Sequence, residues 1–137
     1  MRTSSETLDI LITDAAVLTM AESPQYIVRA DIGICNGCIR FICDKNSSIM
    51  DSSNEQACKR IDASGKLVMP GLINNHTHLP MVLLRGLADD LSLMEWLNGF
   101  IFPAEGRFMN KEAVYAGAML AMAEMILSGT TTFSDSY

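Results

Sequence analysis

The chain carries two histidines, His76 and His78, separated by a single threonine. They follow the short apolar run Leu72-Ile73, which with Asn74-Asn75 reads as a buried parallel strand ending in polar groups. Side chains on a strand alternate with a period of two, so an H-x-H pair sends both imidazoles to one face, a few ångströms apart. That is a chelating arrangement, because imidazole nitrogens bind Zn2+ or Fe2+ at about 2.0–2.1 Å. The C-terminal ends of parallel strands also open onto the usual active-site face of α/β folds. Taken alone, an H-x-H pair fits equally well a loop in which both rings are satisfied by hydrogen bonds. Two histidines also fall short of the three protein ligands that a catalytic zinc uses.

Four cysteines, Cys35, Cys38, Cys43 and Cys58, offer a second chemistry, since the first two form a C-x-x-C. The residues between them argue against it. Asn36-Gly37 is a strong two-residue hairpin signal, because both positions must accept φ > 0, so the cysteines become ordinary strand residues on either side of a turn. A structural zinc site would want a second C-x-x-C, and a redox motif would want a βαβ setting. The thiols therefore read as reduced strand cysteines. The methionines are spaced like core filler and support neither copper nor haem.

The elements that must position the histidines fall into two halves. Residues 9–20 are rich in aliphatic and β-branched side chains and break near Thr13-Asp14, as two short strands with a turn or bulge would. With the Asn36-Gly37 hairpin they predict an antiparallel β segment. Residues 45–60 are polar and read mostly as surface loop. Residues 62–66 then form a turn before the strand Leu67-Val68-Met69. After Pro70-Gly71 the character changes to strand, helical segment over residues 91–100, longer helix over 111–127, and strand over 130–133. The longer helix has Asn110 as N-cap, Glu112 in its first turn and Gly129 past its end. Val114, Met119, Met122, Met125 and Ile126 can line one of its faces. The last strand reads as buried, with Asp135 at its end aimed toward a pocket.

Composition bounds the partners. At 137 residues and 49% apolar content the chain can bury a core. Acidic residues outnumber basic ones 16 to 10, for a formal charge of −6, and no basic run could track a phosphate backbone, so nucleic acid is not expected. Residues 1–7 lack the apolar stretch of a secretory signal, and the longest apolar run, residues 113–123, is shorter than the ~20 residues of a membrane span. A cytoplasmic protein with no membrane partner is the expectation.

The stretch Gly65-Lys66-Leu67-Val68-Met69-Pro70-Gly71-Leu72-Ile73-Asn74-Asn75-His76-Thr77-His78 resembles the opening of the amidohydrolase superfamily barrel, where P-G-L-I-x-x-H-x-H carries two ligands of the catalytic metal. The likeness continues through Pro80-Met81, Leu84-Arg85-Gly86-Leu87-Ala88-Asp89-Asp90-Leu91, Glu95-Trp96-Leu97, Pro103-Ala104-Glu105 and Gly129-Thr130-Thr131-Thr132-Phe133. This pattern is similar to the methylthioadenosine and adenosylhomocysteine deaminase and chlorohydrolase group. The resemblance implies an α/β fold: a (β/α)8 TIM barrel, of which residues 70–137 are the first β-α-β, joined to a small β-sandwich to which residues 1–69 contribute. It implies that His76 and His78 bind the metal, Zn2+ with Fe2+ as the alternative, and that Glu105 accepts hydrogen bonds from ribose hydroxyls. Spacing alone reads Glu105 equally as a solvated loop acid.

Trp96 offers an apolar wall to a purine or thioether, though a lone Trp on an amphipathic helix is more often core. Arg85 and Asp89-Asp90 recur in the resemblance and suit helix-end and packing roles.

The implied activity is hydrolytic deamination of an adenosine-type substrate, a purine nucleoside or related heterocycle, with a chlorotriazine, guanine or cytosine-type substrate as the alternative. Further metal ligands and the proton-transfer groups of the family would lie beyond Tyr137, and a barrel takes about 250 residues. The chain is thus expected to be a truncated or partial hydrolase, inactive alone. The competing reading is a non-catalytic remnant that pairs its open sheet with another chain; homo-oligomerisation is left open.

Overall fold

The computed structural model describes residues 7–47 and 51–137. The chain divides into two compact units, Met1–Pro70 and Gly71–Tyr137.

The first unit is one five-stranded sheet of β1 (Leu8–Leu18), β2 (Tyr26–Cys35), β3 (Cys38–Asp44), β4 (Ala57–Asp62) and β5 (Leu67–Val68). Its order is β3-β2-β1-β4, with β5 also on β1. β1, β2 and β3 pair antiparallel, as expected. β4 and β5 instead run parallel to β1, a correction to the purely antiparallel reading. The polar residues between β3 and β4 carry the chain across to the far side of β1, and a parallel pairing needs such a crossover. Residues 57–60, read as loop, are the start of β4; Lys59 and Arg60 are charges of the kind that blunt a sheet edge. Residues 48–50 of that loop, and the start of the N-terminal segment at residues 1–6, lie outside the described residues.

The break expected at Thr13-Asp14 is a β-bulge within one continuous strand. Asp14 has φ 58°, and the β1–β2 register shifts between Ile12 and Ala15. The Asp14 N–H donates to Asp31 Oδ1 at 2.9 Å. Asp31 is only 2% exposed, yet its carboxyl also accepts from Ser52 Oγ at 2.5 Å and faces Lys45 Nζ at 3.1 Å. A buried carboxylate persists only with such partners. Beneath it Ala15, Val17, Ile27, Ala30, Ile32 and Ala63 form the core. Asn36 (φ 52°) and Gly37 (φ 73°) make the expected tight turn, with Cys35 and Cys38 as cross-strand partners.

The second unit pairs β6 (Leu72–Thr77) in parallel with β7 (Thr130–Asp135). Between them come a 3-10 turn (Leu79–Leu84), α1 (Leu93–Trp96), a π-helical turn (Leu97–Ile101), α2 (Phe102–Phe108) and α3 (Lys111–Leu127). The helical stretch read as ending near residue 100 thus runs on to Phe108, with Pro103 in the first turn of α2 where proline is tolerated.

Asn110 caps α3 by accepting from the Ala113 N–H at 2.9 Å, and Gly129 follows at φ 87°. The buried stripe of α3 runs through Gly117 and Ala121, while Met119 and Ile126, expected on it, are exposed. Small residues win because the helix comes very close to the turn after β6: a Cβ on Gly117 would sit 2.9 Å from Pro80 Cα and O. Both strands were read as buried; in this unit Ile73 is 68% exposed and Phe133 39%. Two strands and one closely packed helix leave their remaining faces uncovered. Among the described residues no helix is long and apolar enough to cross a membrane.

Candidate active site

His76 and His78 converge, by a route less simple than strand alternation. The β6–β7 register shifts between Asn74 and Thr77, so β6 bulges at Asn75 and His76. A bulge re-aims the side chains it carries. The His76 N–H, displaced from the ladder, donates to Asn74 Oδ1 at 3.2 Å. His78 lies beyond the strand at φ −125°, ψ 80°, leading into the 3-10 turn. The two ring centroids end 4.9 Å apart, with the planes at 83°. Both residues are exposed.

This donor set fits a divalent metal in kind: two imidazoles, close together, at the end of a parallel strand. Among the described residues no third His, Cys, Asp or Glu joins them to make a group of three. Two imidazoles are one fewer than the three protein ligands a catalytic zinc uses.

Asp135, expected to aim at a pocket, instead ties β7 to the histidine segment. Its Oδ1 accepts from the Leu79 N–H at 3.0 Å, and the Ser136 N–H donates to the Thr77 carbonyl at 2.9 Å. The side-chain contacts of Asn74 and Asp135 escaped the sequence reading, because a bulge and a cross-strand cap leave no periodic signal.

Glu105 is half-buried on α2, a helical residue and not a loop acid. The π turn before it, with the Phe102 N–H bonding back to the Leu97 carbonyl, inserts an extra residue and re-phases the helix. Leu97, Ile101, Phe102 and Glu105 thereby face one cavity of about 400 Å3, which His78, Met81 and Tyr137 also line. The cavity brings His78 and Glu105 together between largely apolar walls. Burial, the nearby charge of Glu105 and hydrogen bonding to it push the Tyr137 phenol above its ordinary pKa, so the hydroxyl stays protonated and donates. Tyr137 was not singled out from the sequence; nothing in its spacing sets it apart.

Trp96 is half-buried, donates its indole N–H to the Leu87 carbonyl at 2.7 Å, and is not in the lining of this cavity. Arg85 pairs with Glu124 of α3 through bonds of 3.2 and 2.6 Å, fastening the end of the 3-10 turn to the helix. That pair is exposed and adds little stability.

Comparison with known proteins agrees with this fold. A 5-methylthioadenosine/S-adenosylhomocysteine deaminase of Acetivibrio thermocellus is 45% identical over 130 residues, covering 95% of this chain and 29% of its own length. The crystal structure of a Xanthomonas campestris adenosine deaminase with bound zinc superposes with a TM-score of 0.87 at 34% identity, over 96% of this chain and 29% of that one. An Arthrobacter aurescens atrazine chlorohydrolase complexed with zinc gives a TM-score of 0.76 at 26% identity, over 92% and 28%. The chain thus spans less than a third of the length of these relatives, and the mixed α/β fold is the matching part of theirs. Residues 67–137, just over half of the chain, match the model of the amidohydrolase family. By that match, which takes in both histidines and runs to Tyr137, this chain belongs to the amidohydrolase family.

Proposed function

We propose that the chain carries the first part of the active site of a metal-dependent deaminase acting on an adenosine-type substrate, such as methylthioadenosine or S-adenosylhomocysteine. In this reading the Gly71–Tyr137 unit opens a (β/α)8 barrel, and the Met1–Pro70 sheet is its share of a small β-sandwich. The observation that carries the proposal is the single cavity holding both His78 and Glu105.

His76 and His78 would hold the metal, zinc by likeness to the zinc-bound relatives, with Fe2+ as the alternative. Bound there, it would supply Lewis-acid activation of water near neutral pH, the chemistry that displacing an amino group from an electron-poor ring carbon needs. The protein's own share follows from the cavity. Glu105 offers a carboxylate to the vicinal hydroxyls of a ribose, a strong charge-assisted acceptor for a diol. Tyr137, kept as a donor, engages that same carboxyl and restrains it. Met81, Leu97, Ile101 and Phe102 give an apolar surround that suits a purine or thioether.

The adenosine reading is favoured over the triazine one by Glu105, which a heterocycle without a sugar does not need. Ammonia release by the full-length protein from methylthioadenosine, S-adenosylhomocysteine and an aminotriazine tests it. Nucleosides should be the better substrates, and Glu105→Ala should lower kcat/KM on them by roughly 10- to 100-fold, the worth of a hydrogen bond to a charged group, while sparing any triazine activity. Equal loss on both substrate types would remove the ribose role.

A further inference from the structure

The H-x-H pair is held by something other than a regular ladder. His76 lies in the bulge of β6, and His78 lies past the strand's last residue, Thr77. A residue leaving a strand has no ladder bonds of its own to fix it. The backbone on either side of His78 is nevertheless tied to the end of β7: the Thr77 carbonyl accepts from the Ser136 N–H at 2.9 Å, and the Leu79 N–H donates to Asp135 Oδ1 at 3.0 Å.

The first tie is backbone to backbone and is available to any sequence. The second exists only because residue 135 has a short side chain ending in an acceptor. Leu79 is 5% exposed, so its N–H has little access to water and needs a protein partner. Without that partner the donor is left unsatisfied, and the cheapest relief is for the backbone at 78–79 to turn toward solvent.

We infer that Asp135 is a positioning residue for the histidine pair, fixing the backbone just after His78 so that both imidazoles keep the spacing needed to share one ion. The inference rests on the reading of His76 and His78 as metal ligands. Asp135 touches neither ring; it acts through Leu79, as outer groups that orient metal ligands do.

The test uses the full-length protein, with Zn2+ affinity measured by competition against a chromophoric chelator and the visible spectrum of the Co2+-substituted form as a report on ligand geometry. Asp135→Ala should weaken Zn2+ binding about 10- to 100-fold and alter the Co2+ bands, while Asp135→Asn, which keeps an acceptor oxygen, should recover most of the affinity. Wild-type affinity and unchanged bands in Asp135→Ala would overturn the inference. Amide exchange at Leu79 in the unaltered protein is a check that needs no variant: protection is expected, and free exchange would also overturn it. His76→Ala separates this inference from the reading beneath it. If that variant binds Zn2+ normally, the metal-ligand reading fails and takes the inference with it. If it loses Zn2+ while Asp135→Ala does not, only the role of Asp135 fails.

Discussion

In the Met1–Pro70 unit the strands bury much of their own apolar surface, with Leu8, Leu11, Ala15 and Ile32 almost wholly covered. In the Gly71–Tyr137 unit the close approach of α3 is made by Gly117 against Pro80, and Leu79 and Ile101 are buried too, while Ile73, Tyr115 and Leu127 stay open. The first half has a core of its own, although Val28 and Ile39 stay open. The second resembles a wedge cut from a larger round, whose strand and helix faces need further apolar surface against them. The chain's coverage of less than a third of its relatives' length points the same way. The histidine pair stands in this second half, where both residues are exposed.

Core truncation sharpens the contrast most. Leu11→Ala in the first unit should cost about 2–5 kcal/mol, read as a fall in the urea midpoint, because Leu11 is fully buried. Ile73→Ala should change the stability of the 137-residue chain by less than about 0.5 kcal/mol. In a full-length protein, where the proposed barrel would cover that face, the same substitution should approach the cost of Leu11→Ala. Equal small effects in both settings would break the comparison.

Gly117→Val comes next, at about 1–3 kcal/mol from overpacking against Pro80. Its thermal midpoint should fall even though valine is the more apolar residue. A neutral result would mean that α3 and the turn after β6 can separate without cost.

The smallest effect concerns pH. Arg29, and then Lys45, hold the Asp14 carboxyl below its ordinary pKa in the folded chain. A depressed folded-state value means that the contribution is present above the unfolded carboxylate value and is lost as pH falls through the ordinary range toward the lower folded one. The Asp14 side chain is 27% exposed and that of Arg29 60%, so solvent screening keeps the loss slight. Arg29→Ala should flatten the dependence of the urea midpoint on pH below about 4, leaving the midpoint at pH 7 nearly unchanged.

What the sequence disclosed was local. The Asn36-Gly37 turn needs two positive φ angles and says so in its residue types, and the Asn110 cap and Gly129 stop mark both ends of α3. The H-x-H pair was legible for the same reason, as a spacing of two. The bulge that aims His76 was not, because it depends on register with β7, more than fifty residues away. Glu105 was legible as a residue but not as part of a helix, since Pro103 reads as a breaker unless its place in the first turn is known. The buried face of α3 was misjudged because apolarity points to methionines, whereas close approach selects glycine and alanine. β4 was missed because an edge strand can be as polar as a loop.

The proposed role of His76 and His78 is to hold one catalytic ion between them. Its most direct test is Zn2+ stoichiometry, measured beside ammonia release from methylthioadenosine, in the full-length protein and in His76→Ala and His78→Ala. One tightly bound Zn2+ and steady deamination are expected in the unaltered protein, with both lost in either variant. A variant that keeps the ion and still releases ammonia would contradict it.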